Sequence, residues 1–166
     1  MFRPLAESIA RTDLSLTLQT HSWIVPTSQS IHILGVSVLF TSALFINSRI
    51  LGIGSKGRTV PQLVETLLPW MWAALAALVI TGITQTIAEP VRQFVAPVFW
   101  AKMTMILIVV LATRLYVARV RAHVSEWSAN STAPSGARVF AVGSSLLWIA
   151  IIVCGRFIGY TSALYQ

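Results

Sequence analysis

The sequence predicts an all-α membrane protein, a bundle of four transmembrane helices preceded by an N-terminal interfacial helix. Three observations predict it. Only 10% of the 166 residues are charged, 55% are hydrophobic, and the mean hydropathy is +0.75; a water-soluble domain carries about a quarter charged residues. Four apolar runs, near 27–47, 66–88, 97–118 and 139–160, each supply the roughly 20 residues that a span needs. No segment alternates like a barrel strand, and only helices or closed barrels cross lipid. Residues 1–166 therefore read as one membrane domain.

The elements follow in order. Residues 1–22 form the interfacial segment, in which Phe2, Leu5, Ile9, Leu14, Leu16 and Leu18 make 2–18 partly amphipathic. That pattern predicts a helix lying on the lipid surface and then an extended lead-in. Glu7 and Asp13 interrupt any continuous apolar core, so no cleavable signal peptide is expected here. Pro26, followed by Thr27, Ser28 and Ser30, marks the first span's start, because the first helical turn leaves its amide hydrogens unpaired anyway. Gly52, Gly54, Ser55 and Gly57 predict a flexible first loop, and the Ser-, Ala-, Asn-, Pro- and Gly-rich residues 125–136 predict the third. Trp23 and Trp100 on one side, with Trp70 and Trp72 on the other, fit aromatic belts; Trp148 is mid-span and predicts core packing.

The formal charge of +7 is spread around the apolar runs. Lipid headgroups therefore explain it, and nucleic acid is not an expected partner. Arg49, Lys56 and Arg58 flank the first loop, and Arg114, Arg119, Arg121 and Arg138 the third. On the other side Arg3 and Arg11 are balanced by Glu7 and Asp13, and Arg92 by Glu89. The positive-inside rule puts loops one and three in the cytoplasm and both termini outside. The single cysteine, Cys154, excludes an internal disulfide and reads as a small packing residue.

With direction assigned, a constant rise of about 1.5 Å per residue converts sequence position into depth. His32 and Lys102 lie about six and five residues inside the outer ends of spans one and three, and Arg156 about four inside span four. Thr84 and Gln85 of span two share that depth, and Tyr160 sits slightly above. Intramembrane ionisable groups are costly and usually face the bundle interior. Lys102 and Arg156 could instead snorkel toward headgroups, whereas the short His32 side chain cannot. Gln29, His32 and Gly35 fall on one face at i, i+3 spacing, with the glycine able to admit a backbone or a flat ligand. His32 is then either a metal or cofactor ligand or a histidine hydrogen-bonded between helices. His21 and His123 lie at opposite sides of the bilayer and read as interfacial. Met103 and Met105 read as packing residues, with thioether ligation the minority reading.

The ordered runs Trp23, Pro26, Gln29, His32, Gly35, then Arg49, Leu51, Gly52, then Phe99–Lys102, then Ser145–Trp148 and Gly155–Tyr160 resemble an uncharacterised family of bacterial four-helix inner-membrane proteins. The resemblance covers about residues 13–160 and implies a bacterial inner-membrane protein, in which the termini that the charge pattern puts outside would be periplasmic. That family more often carries an acid where this chain has Gln29 and Asn47, which neutralises two charges here. More distantly, a first-helix His with a third-helix Lys is similar to membrane protoporphyrinogen oxidases that bind haem b and to copper-resistance D proteins, implying a haem- or metal-linked role.

The expected function is a haem b-binding subunit that transfers electrons between a periplasmic redox partner and quinone. His32 would ligate the iron. Gln29 would orient its other nitrogen. Lys102 and Arg156 would pair with propionates or a quinone carbonyl, Gly35 would admit the ring, and Tyr160 would line the site. The alternative is a non-catalytic membrane anchor or assembly subunit, with its polar layer turned to a partner. A small transporter or copper-handling protein ranks lowest, since imidazoles and thiols are few.

Overall fold

The computed structural model describes residues 2–53, 57–124 and 135–161, the side chains of Ser135, Tyr160 and Thr161 excepted. Among these the elements are helices α1 (Arg3–Ala10), α2 (Asp13–Thr20), α3 (Ile24–Ile50), α4 (Val60–Ala88), α5 (Pro90–Phe94), α6 (Pro97–Ala122) and α7 (Ser135–Thr161). Four of them, α3, α4, α6 and α7, are long and apolar enough to cross a membrane. The fold is the expected four-helix membrane bundle with short helices ahead of it.

Each long helix encloses its expected span and overruns it, for local reasons. α3 starts at Ile24, and Pro26 still falls in the first turn, where no amide hydrogen is missed. It ends in a Schellman motif: Ile53 N–H bonds Ser48 O at 3.0 Å and Gly52 N–H bonds Arg49 O at 3.2 Å. Gly52 adopts φ +78°, a left-handed conformation that glycine alone takes freely. This loop residue, expected to be merely flexible, is a specific helix stop. α4 starts at Val60 because Thr59 and Gln62 form a capping box, with Thr59 N–H on Gln62 Oε1 at 2.9 Å.

Around the bundle α3 packs against α4 and α7, and α6 packs against α7; α4 and α6 touch least. The main core is built from Leu39, Ala43, Ile46 and Ile50 of α3 with Val64 and Ala74 of α4, Val109 and Val120 of α6, and Trp148 and Ile151 of α7. Trp148 is buried as expected. A smaller cluster, Ala96, Phe99 and Ile158, closes the end where α5 lies. Outward, the bundle exposes Leu34, Ile80, Leu115 and Val139 at 66–73% of their surface. Apolar exposure on that scale suits lipid and not water.

The N-terminal segment corrects the expectation of one helix and an extended lead-in. The break falls at Thr12, whose Oγ1 accepts from Ser15 N–H and starts a second helix. α1 packs on α5 and α2 on α4. Ala6 and Ser15 are fully buried, while Phe2, Leu5, Leu14 and Leu16 stay exposed. Ser15 Oγ donates to Ile87 O at 2.8 Å, in the last turn of α4, where carbonyls lack partners of their own helix. The two helices are thus docked on protein as well as open on their apolar side.

Away from that end, Asn47 is buried between α3 and α7, its Nδ2 donating to Ser144 Oγ and Ser145 Oγ at 2.9 Å each. Both hydroxyls give their own protons to Ala141 O. They can only accept from residue 47, so an amide donor suits this position. Asn47→Ala is expected to cost about 1–3 kcal/mol, the penalty of breaking a buried polar set. Asn47→Asp brings no amide donors and should lose a comparable amount at neutral pH. Thermal unfolding in detergent checks both, and unchanged midpoints would contradict the hydrogen-bond assignment.

Candidate functional site

Two apolar clusters leave a polar layer between them. Along α6, Lys102 stands between Phe99 of the small cluster and Met105, packed on the large one; along α7, Gly155 stands between Ile158 and Ile151. On α3 the layer is opened by His32, which is partly buried.

The face that carries His32 is not the expected one. Ser28, His32, Gly35 and Leu39, at i, i+4, i+7 and i+11, turn toward α4, and Gln29 is exposed. Ser28 Oγ donates to Thr81 O at 3.3 Å. His32 Nδ1 meets Thr81 Oγ1 at 2.8 Å, and Gly82 lies beneath the ring, its would-be Cβ 3.8 Å from Cε1. Gly35 does not open a space for a flat ligand. A Cβ there would meet Leu78 at 3.1–3.2 Å, so the missing side chain makes room for α4.

Thr81 also decides which histidine nitrogen is free. Its hydroxyl carries one proton and points it at Ala77 O, 2.7 Å away. Toward His32 it can only accept, so Nδ1 carries the hydrogen and donates. In the neutral ring Nε2 is then a bare lone pair, available to a metal or a hydrogen-bond donor. The orienting role expected of Gln29 belongs to Thr81.

Lys102 reaches across from α6 and lays Nζ over Gly155, 3.5 Å from where a Cβ would sit, beside the half-buried Cys154. One turn toward the bundle end, Arg92 of α5 lays Nη2 over Gly159, 3.4 Å from the corresponding position. Arg92 also pairs with Glu89 through Nη1. Arg156 holds the expected depth but is exposed, one residue round the helix from Gly155. The second inward cation is therefore Arg92, which charge counting had treated only as loop charge. Its visible signal was the glycine pair inside the Gly155–Tyr160 run. The side chain of Tyr160 lies outside the described residues.

The remaining expected groups stand elsewhere. Thr84 bonds its own helix at Ile80 O, and Gln85 is partly buried. His21 and His123 are exposed and bond carbonyls of their own helices, Thr17 O and Arg119 O. Met103 is exposed and Met105 half-buried in packing. Among the described residues no three His, Cys, Asp or Glu side chains gather as a metal-holding group. For haem, His32 Nε2 would hold the iron and Lys102 and Arg92 would hold the propionates; Gly35, closed by Leu78, does not fit as a cradle for the ring.

Fold and layer define a multi-pass helical membrane protein with a half-buried imidazole and two inward cations near one end. The chain belongs to DUF6644, a family of unknown function, which matches residues 13–161. No curated protein and no solved structure matches it, the protoporphyrinogen oxidases and copper-resistance D proteins included.

The tautomer is testable. In ¹⁵N-labelled protein His32 should show a protonated Nδ1 and an unprotonated Nε2, and Thr81→Val should abolish that preference. An Nε2-protonated ring in the wild type would reverse the assignment.

Proposed function

We propose that this protein is a haem b-binding membrane subunit that passes electrons between a periplasmic partner and quinone. One observation carries the reading: His32 Nδ1 lies 2.8 Å from Thr81 Oγ1, whose hydroxyl also bonds Ala77 O, and a ring that donates through Nδ1 would have Nε2 free to ligate iron. Haem so held would supply one-electron transfer. The chain's own residues hold and orient the group. Thr81 fixes the ring plane of His32, while Lys102 and Arg92 offer charge-assisted donors to propionates or to a quinone carbonyl. The Arg and Lys excess around the first and third loops supports a bacterial inner-membrane orientation with the α1 and α5 end periplasmic.

A second reading, a non-catalytic anchor or assembly subunit, is favoured by Leu78 over Gly35. That contact and the His32–Thr81 bond together account for this face as a helix seam, with no ligand needed.

An absorption spectrum of the gently purified protein separates the two. The haem reading expects a Soret band that His32→Ala removes from an inserted, folded protein, and that His21→Ala and His123→Ala leave intact. A colourless, iron-free wild type would end it. The orientation expects a reporter fused after Gln166 to behave as periplasmic; cytoplasmic activity of that fusion would reverse the topology.

A further inference from the structure

The outer end of the layer holds more hydrogen-bond donors than acceptors. Nε of Arg92 and Nε2 of Gln85 are buried without a partner among the described residues. Buried donors without acceptors cost about 1–3 kcal/mol each, so native structures rarely leave them so. Nζ of Lys102 and Nη2 of Arg92 add cationic donors over Gly155 and Gly159. Those two glycines are one helical turn apart, so their Cβ positions are about 6 Å apart. Both cations therefore stand over the same face of α7. Glu89 is paired to Arg92 and offsets one charge; among the described residues no acid pairs with Lys102.

We propose that Lys102 and Arg92 form a subsite for a single oxyanion, a phosphate or carboxylate, at the α5 end of the bundle. The net charge of the site is one positive unit, which a monoanionic headgroup or a singly charged carboxylate neutralises. Gly155 and Gly159 are part of the device. A methyl at either position would meet its cation at ordinary contact distance, 3.5 and 3.4 Å, and only a bulkier side chain would displace it from α7. Arg92 serves because its fork can keep Glu89 on one nitrogen and offer the others to a second anion. The subsite shares both Lys102 and Arg92 with the haem reading but rests on neither His32 nor iron, so each can fail alone.

The test uses the full chain in phosphatidylcholine nanodiscs, with thermal unfolding as readout. Two arms are run, phosphatidylglycerol added to the disc and inorganic phosphate added to the solution. A rise in the wild-type midpoint with phosphatidylglycerol alone assigns a lipid phosphate, and a rise with inorganic phosphate assigns a free anion. Arg92→Gln and Lys102→Gln should each weaken the response by about tenfold or more in apparent affinity, the loss of a hydrogen bond to a charged group. Arg156→Gln, at the same depth but exposed, should keep it. Should Arg92→Gln fail to fold, Glu89→Gln decides. Freeing Arg92 from its carboxylate should tighten anion binding, and weakening would overturn the proposal. So would no rise in either arm, or an equal rise in wild type and both cation variants. His32→Ala should leave the response intact while removing any Soret band.

Discussion

Lipid offers no hydrogen bonds, and this constraint arranges nearly every polar side chain in the bundle. Most hydroxyls resolve it locally. Ser30, Ser37, Ser42, Thr66, Thr84, Thr86 and Thr104 each donate to the carbonyl four residues earlier on their own helix. A group satisfied that way carries no information about neighbours. The few that cross between helices do. Ser28 and His32 reach Thr81 of α4, and Asn47 reaches Ser144 and Ser145 of α7. All three belong to α3; the bonds of Ser15 to Ile87 and of Arg121 to Glu65 join other helices near the ends of the bundle.

The seam between α4 and α6 is the counter-example. It lacks comparable packing and is bridged near its ends instead. Arg121 grips Glu65 through Nε and Nη2, at 2.8 and 3.1 Å, and Arg114 lies 5.8 Å from the Trp72 ring centre. Glu65 and Arg121 are exposed, so their pairing contributes orientation more than stability. At the opposite end α5 and the docked α1 and α2 join α4 to α6. The thinnest seam is thus held by its rims.

Glycine serves two purposes here that look alike in one dimension. Gly35 lets Leu78 of the neighbouring helix approach, the usual use of a small residue between membrane helices. Gly155 and Gly159 instead admit the cationic ends of Lys102 and Arg92. The spacing of that pair, four residues, is the spacing commonly associated with bare backbone contact, yet here it floors a polar layer. Along this layer His32 meets the Thr81 hydroxyl and Gly82, and Lys102 and Arg92 meet Gly155 and Gly159.

The sequence by itself determined the number of candidate spans, their order and the shared level of His32, Lys102 and Arg156 along them. Helical rise is constant and each span is anchored by its apolar limits, so His32, Lys102 and Arg156 could be assigned one level by counting. Direction around each helix was beyond that arithmetic. Neighbouring residues differ by about 100°, and a helix that meets lipid on one side and apolar core on the other shows no contrast to mark its inner face. That is how Ser28 and not Gln29 came to share the His32 face, and how Gly155 turned inward with Arg156 left exposed. The Thr81 hydroxyl that sets the His32 tautomer lies 49 residues away in the chain. Only packing brought it there, since a hydrogen bond between two helices depends on their mutual rotation, which no single helix encodes.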